Sequence, residues 1–349
     1  MKADKTSITF IINPKSGTHS KEELPDMIDG IFDRQQYDYT TVFTEYRGHA
    51  AKIALQSAQE GKDIVVAVGG DGTVNEVARS LVHTQTALGI VPCGSGNGLA
   101  RHLCLPIDIR KSLEIINNGH IESFDFGVIN GLPFFCTCGM GFDAFISLKF
   151  AEAGKRGPIT YVENVLKEGL KYKPETYEVS DDLGTNHYEA FLIACANASQ
   201  YGNNAYIAPG ATMKDGLMDV IIMEPFNALD APQIAADLFM KTLGNNSKIK
   251  TFRTTKLHIH RSMPGAIHYD GDPIMTGTDI DVSMEHLGIR IVTNPNGTED
   301  MAQPNPLLNA FSDLFNNINN VREDIGLSIE KRGRRIQAIN KLMLRKLKG

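Results

Sequence analysis

Three short turns dominate the sequence: NPKSG at Asn13 to Gly17, GGDGT at Gly69 to Thr73, and GSGNG at Gly94 to Gly98. They follow the apolar runs Ile8 to Ile12, Ile64 to Val68 and Ala87 to Val91. Short apolar runs that alternate with amphipathic stretches predict a parallel sheet with crossover helices. In such a sheet all three turns share the carboxyl edge, where ligands bind. After GGDGT, Val74, Val77, Ala78 and Leu81 recur at helical spacing, so the second turn runs directly into a helix. A further helical pattern over Ile109, Leu113 and Ile116 begins beyond Pro106 and stops at Gly119, as a C-terminal glycine cap does.

Glycine lets backbone N–H groups come close to an anion, and a helix N-terminus adds its dipole, so three such turns around one pocket suit a polyphosphate. A nucleotide is the expected ligand. The common fingerprints nevertheless fail. GSGNGLA has Leu99 where the dinucleotide motif needs a small residue, and GIVPCGS lacks the lysine of a Walker loop. Asp71 is unusual in a phosphate cradle, because its carboxylate repels the ligand unless a cation intervenes; Mg2+ would supply one. The alternative is a turn or N-cap aspartate.

From about Glu122 the texture changes to short alternating segments: ESFDFGVI, ETYEVS, HYEAFLIACA, GLMDVIIM, TKLHIH, AIHYDG, DIDVSM and GIRIVT. This spacing predicts a sandwich-like β domain, interrupted by helical patterns near Ile159 to Leu170 and Ala231 to Leu243. The chain of 349 residues accordingly divides into an α/β unit over 1–125, a β unit over 126–293, and a linker with a basic helical tail over 294–349. Residues 331–349 carry eight cations and no acid, so an overall net charge of −6 leaves −14 on the rest. An acidic body argues against a nucleic-acid partner. In the tail, Ile329, Ile336, Ile339, Leu342, Met343 and Leu347 fall largely on one helical side, a pattern suited to an anionic membrane surface or to packing on an acidic protein face.

The cysteines Cys93, Cys104, Cys136, Cys138 and Cys195 are odd in number and contain no C-x-x-C pair, which fits reduced thiols. Ile8 to Ile12 is too short for a signal core, and no apolar run of about 18 residues follows. A cytoplasmic protein, peripheral at most to the inner membrane face, is the expectation, with a homodimer left open.

NPKSG, VVAVGGDGTVNEV and LGIVPCGSGNGLAR, in this order, resemble the catalytic domain of the diacylglycerol kinase and sphingosine kinase family of lipid kinases. The resemblance continues through TEYRGHA at Thr44 to Ala50, FDFGVIN at Phe124 to Asn130, GMGFDA at Gly139 to Ala144, IAPGATMKDGLMDV at Ile207 to Val220 and YDGDP at Tyr269 to Pro273, covering roughly residues 7–293. NAD kinases and phosphofructokinases carry loops like GGDGT, so the ordered set is what makes the resemblance specific. It implies a nucleotide domain of NAD kinase or phosphofructokinase type, a β-sandwich second domain, and a cleft that sets a lipid hydroxyl against the γ-phosphate of ATP.

By that resemblance ATP is held by Asn13, Ser16, Gly17, Gly69, Gly70, Gly72, Thr73, Gly94, Ser95, Gly96 and Asn97, with Thr44 beside the phosphates and Mg2+ near Asp71. The bacterial branch ends its last motif in Asp-Gly-Glu, whose glutamate accepts the hydroxyl proton. Here the motif is Asp270, Gly271, Asp272, so Asp272 is the implied base with a side chain one methylene shorter. Sphingosine kinase-like members assign the base to the aspartate equivalent to Asp71. A hairpin-turn role for Asp270-Gly271 is the structural alternative. Asp125 is implied to hold Mg2+ through water, Asp143 to lie near the lipid headgroup, and Asp215 to sit at a structural metal position.

Two segments depart from the family pattern. Gly98 replaces an acidic residue of many bacterial members, and Gly202-Asn203-Asn204 replaces a more glycine-rich turn. His49 and the Cys136-Thr137-Cys138 segment are expected to be a helix-start residue and a buried strand. The resulting expectation is an ATP- and Mg2+-dependent kinase of diacylglycerol or a sphingoid base. An NAD kinase-like enzyme and a non-catalytic nucleotide- or lipid-binding regulator are the alternatives.

Overall fold

The computed structural model describes residues 5–17, 21–153, 172–227 and 230–297. The helical pattern near Ile159 to Leu170 and the basic run 331–349 lie outside the described residues.

The first lobe alternates strand and helix: β1 (Thr6–Ile12), α1 (Leu24–Ile31), β2 (Tyr37–Phe43), α2 (His49–Gln59), β3 (Ile64–Gly69), α3 (Asp71–Leu81) and β4 (Ala87–Pro92). The strands pair in parallel in the order β2-β1-β3-β4. Successive side chains leave opposite faces of a strand. Ile8, Phe10 and Ile12 therefore pack under Leu24 and Ile28 of α1, while Ile11, Val65 and Ala67 pack under Ala54 of α2 and Val77 of α3. Helices on both faces explain why these strands read as continuous apolar runs. Each fully buried Ile or Val contributes about 1.5–3 kcal/mol. Two short helices follow, α4 (Gly98–His102) and α5 (Ile109–Asn118); the latter is capped by Asp108 at its start and by Gly119, φ 66°, at its end.

The second lobe contains β5 (Ile121–Ile129), β6 (Leu132–Phe134), β7 (Thr137–Gly141), α6 (Phe142–Ala153), β8 (Glu175–Asp181), β9 (Gly184–Ala190), β10 (Leu192–Ala196) and β11 (Met218–Met223). It continues with α7 (Ala231–Met240), β12 (Ile249–Thr254), β13 (Lys256–Arg261), β14 (Gly265–Tyr269), β15 (Asp272–Thr276) and β16 (Asp279–Val292). One sheet is antiparallel, in the order β12-β11-β10-β7-β14-β15. The other continues the first-lobe sheet: β16 touches β4 through Ile291 and Leu88, then pairs antiparallel with β5 and β13. Met140, Ile193 and Val220 of one sheet meet Val179, Ile259 and Val282 of the other. The protein is thus an α/β domain joined to a β-sandwich.

Two details differ from the strand pattern of the sequence. HYEAFLIACA divides at Phe191 into β9 and β10, which belong to different sheets. β9 is largely exposed and β10 fully buried, so a single apolar-looking run spans two environments. Conversely, DIDVSM and GIRIVT form one 14-residue strand, β16, with an irregularity between Glu285 and Ile289 where Leu287 takes φ 50°. Among the described residues no helix is long and apolar enough to cross a membrane.

Candidate active site

The three glycine turns meet at the carboxyl edge of the parallel sheet. Asn13 follows β1 and donates from its side-chain amide to Thr73 Oγ1 at 2.8 Å, while its Oδ1 accepts the Lys15 N–H at 3.0 Å. The Ser16 hydroxyl donates to the Asn13 carbonyl at 2.9 Å. The second and third turns pack backbone on backbone: a Cβ at Gly94 would stand 2.7 Å from Gly70 Cα, so any larger residue would force the loops apart. Asn97 takes φ 51° and closes its own loop through the N–H and carbonyl of Gly94.

Asp71 is the first residue of α3, and its carboxylate is not spent on its own helix. One oxygen accepts the Asn97 N–H at 2.9 Å and the other the Gly98 N–H at 2.7 Å. The aspartate therefore clasps the third glycine loop to the second. A carboxylate offers about four lone-pair sites, so each oxygen retains acceptor capacity toward the cleft.

Asp272 opens β15. Its two oxygens accept from Arg79 at 2.9 Å and from Arg47 at 3.0 Å. Arg79, two turns along α3 from Asp71, also donates to the carbonyls of Pro133 and Tyr269, both at 3.2 Å, and lies over the Tyr269 ring. One arginine thus joins the nucleotide lobe to the turn that presents Asp272. That turn is a two-residue hairpin between β14 and β15, with Asp270 at φ 51° and Gly271 at φ 81°, the conformation that favours Asp-Gly. The Asp270 side chain folds back to accept the N–H groups of Phe135, Cys136 and Thr137. Burial pushes the Asp270 pKa up against the opposing pull of Arg79 and these three N–H groups. Asp270 is therefore a strut under the hairpin.

Asp143, second residue of α6, accepts the Tyr201 hydroxyl at Oδ2, 2.8 Å away. Tyr201 belongs to a loop pressed against the third glycine turn, with the Asn203 N–H donating to the Gly96 carbonyl at 3.0 Å. Gly202, Asn203 and Asn204 there take φ 113°, 50° and 60°. Asparagine tolerates the left-handed region better than other side chains, so Asn203 and Asn204 satisfy this backbone without glycine.

A cleft of about 1890 Å³ runs between the lobes. Asn13, Ser16, Gly17, Thr44, Gly70, Asp71, Gly72 and Thr73 line it, with Gly94, Ser95 and Gly96, and Asp143 and Asp272 face the same space. Its other end is apolar, with Phe142, Ile146, Phe191, Ile207, Met223 and Phe226 on the outer face of the antiparallel sheet. Gly69, Asn97, Asp125 and Asp215 are not in its lining. Asp125 is fully buried, and its carboxylate holds the Gly216 and Leu287 N–H groups, each at 2.7 Å, beside His286 Nδ1 at 2.8 Å. It braces the irregularity of β16. Asp215 pairs with Arg253, whose guanidinium also reaches Asp219 at 3.4 Å, so a side-chain cation already stands beside it.

Among the described residues no group of three or more His, Cys, Asp or Glu could hold a metal by itself. Mg2+ in phosphoryl transfer is bound by one or two carboxylates together with substrate phosphates, so this donor set fits an ion that arrives with the nucleotide. His49 starts α2 and stacks on Tyr46, and Cys136 and Cys138 are buried, as expected. Sequence reasoning missed Arg47, Arg79, Tyr201 and His268. Arg79 shares α3 with Asp71, and Arg47 lies within TEYRGHA, but neither pattern shows which carboxylate it meets.

Residues 7–129 match the family model described as diacylglycerol kinase catalytic domain, and residues 137–285 match the YegS C-terminal NAD kinase beta sandwich-like domain. An uncharacterized protein of Synechocystis sp. (strain ATCC 27184 / PCC 6803 / Kazusa) is 30% identical over 286 residues, which are 76% of this chain and 66% of that one. A diacylglycerol kinase of Bacillus subtilis (strain 168) is 26% identical over 269 residues, 75% of this chain and 88% of the relative. A crystal structure of a diacylglycerol kinase from Bacillus anthracis str. Sterne shares the fold with a TM-score of 0.67 at 21% identity, over 85% of this chain and 100% of that one. An NAD kinase from Archaeoglobus fulgidus in complex with ATP shares it at a TM-score of 0.50 and 12% identity, over 84% and 96%. The protein belongs to the diacylglycerol kinase catalytic domain family, with a YegS-type second domain.

Proposed function

We propose that this protein is an ATP- and Mg2+-dependent lipid kinase that transfers the γ-phosphoryl group to a lipid hydroxyl, of diacylglycerol or a sphingoid base. The observation that carries the reading is the single cleft, polar and glycine-lined at one end and aromatic at the other. Its volume exceeds the roughly 300–1,000 Å³ of a site for one small molecule, which leaves room for a nucleotide and an acyl chain together. Asp71 would hold Mg2+ jointly with the phosphates, and the ion would neutralise charge on the transferred group.

Of the two candidate bases, Asp272 has the stronger support. It lines the cleft, and Arg79 and Arg47 fix its orientation. Asp71 instead has a backbone N–H on each oxygen. Phosphoryl transfer asks mainly for positioning and charge neutralisation, so a carboxylate held by arginines suffices as proton acceptor.

Radiolabel from γ-labelled ATP, offered to diacylglycerol, sphingosine, ceramide, phosphatidylglycerol and NAD, is expected to appear in one of the lipids. Label in NAD alone, or in nothing, would overturn the reading. The basic run 331–349 supports attachment to an anionic membrane surface, each cation there contributing about 1 kcal/mol. Deleting it is expected to reduce partition onto anionic vesicles and to leave ATP binding intact; unchanged partition would remove that role.

A further inference from the structure

His268 of β14 is 1% exposed and lies behind the cleft wall. Its Nε2 stands 2.8 Å from Asp143 Oδ2 but off the axis of a well-formed hydrogen bond, so attraction across the pair is mainly Coulombic. On the other side of the ring the Gly271 N–H donates to Nδ1 at 3.3 Å, which makes Nδ1 the acceptor and assigns the ring proton to Nε2. β7 supplies Gly139 between the two groups, where a Cβ would come within 2.7 Å of Asp143 Oδ2 and 2.9 Å of His268 Nε2. The backbone is thus kept bare so that carboxylate and ring can meet.

Asp143 is tethered twice, both times through Oδ2. Tyr201 ties it to the loop that presses on the third glycine turn, and His268 ties it to the hairpin of Asp272. No described residue bonds Oδ1, and Asp143 lines the cleft beside Phe142 and Ile146. We propose that His268 is a positioning residue that joins the headgroup-facing carboxylate of Asp143 to the Asp270-Gly271 turn, so that one buried ring sets the distance between the bound lipid head and Asp272. In a sphingoid base, which carries an ammonium and a second hydroxyl beside the reacting one, Asp143 Oδ1 then receives one of those donors while Asp272 receives the reacting hydroxyl; in diacylglycerol, whose one donor is the reacting hydroxyl, the tether sets only the position of the hairpin. The kinetic consequence rests on the lipid-kinase reading; the tethering does not.

The ring is surrounded by charge. Asp143 faces it from α6, Asp270 and Asp272 from the hairpin, Arg79 bridges the latter two from α3, and the Tyr201 hydroxyl shares Asp143 Oδ2. Burial disfavours the imidazolium, yet Asp143, then Asp270 and Asp272, outweigh it and raise the His268 pKa above the ordinary value of about 6.5. Protonation at Nδ1 would turn a donor against the Gly271 N–H and loosen the hairpin. Activity is therefore expected to fall on the acid side, with a midpoint above that ordinary value.

Three variants separate the two tethers. His268→Gln keeps a donor at the Nε2 position and loses the acceptor for Gly271; it is expected to lower kcat about tenfold, to keep the lipid KM, and to lose the acid limb. His268→Asn keeps a group near Nδ1 and no longer reaches Asp143; it is expected to raise the lipid KM about tenfold and to leave kcat and the ATP KM near wild type. His268→Phe fills the space without either contact and should show both losses at an unchanged melting temperature. A fully active His268→Phe variant would overturn the proposal. Nitrogen-15 NMR of the full chain above the ring's ionisation supplies a readout that does not depend on turnover. The Nε2–H tautomer is expected, with a ring shift that moves in Asp143→Asn; an Nδ1–H tautomer would also overturn the proposal. Failure of the wild-type chain to phosphorylate any lipid, with the Nε2–H result intact, would sink the lipid-kinase reading alone.

Discussion

Asp71→Asn is expected to weaken Mg-ATP binding by about 10- to 100-fold, rather than to abolish the chemical step at normal affinity. The carboxylate accepts one backbone N–H on each oxygen, from Asn97 and Gly98. An amide presents one oxygen and one NH2, so either orientation confronts one of those N–H groups with another donor. A hydrogen bond to a charged group is worth about 1.5–3 kcal/mol, and its loss frees the third glycine turn before nucleotide arrives. Binding must then restore the loop, and affinity falls by the corresponding factor. Calorimetry with Mg-ATP measures this directly. Unchanged binding heat with lost turnover would return Asp71 to the role of base.

Asp272→Asn should show the opposite division. Turnover is expected to fall by about 10²–10⁴-fold, the usual contribution of a positioned proton acceptor, with ATP affinity within a factor of about two. The fold should tolerate the change, because Arg79 keeps the carbonyls of Pro133 and Tyr269 and the neighbouring Asp270. Arg47, with its side chain 83% exposed, loses only a surface pairing of the kind worth about 0–1 kcal/mol. Single-turnover rates and nucleotide titrations of the same preparation separate the two effects. Near-normal rates would exclude Asp272 as the acceptor.

These two carboxylates show how differently a site can be legible. GGDGT and the helical spacing after it put Asp71 at a strand-to-helix turn from sequence alone, and α3 begins at that residue. That its oxygens are directed at Asn97 and Gly98, 26 and 27 positions away, follows from the packing of β3 against β4 and from no local pattern. The partners of Asp272 lie farther still, Arg79 at a separation of 193 and Arg47 at 225. Asp125 was marked by motif resemblance, yet its burial and its bonds to Gly216 and Leu287 depend on where β16 bends back. His268 carried no signal, because a buried histidine in an alternating strand looks like any other core-facing position until the facing carboxylate is known.

The parallel sheet, its glycine-bearing edge, the helix starts and caps and the β-rich second half were determined by local sequence, because side-chain periodicity and the steric freedom of glycine act over a few residues. The division of HYEAFLIACA between two sheets, the single long β16 shared by both lobes, and the arginine and histidine contacts around the cleft were decided only by tertiary structure. Each depends on groups far apart in the chain being brought within hydrogen-bond distance, and the burial that makes those charges consequential exists only once the two lobes have closed on one another.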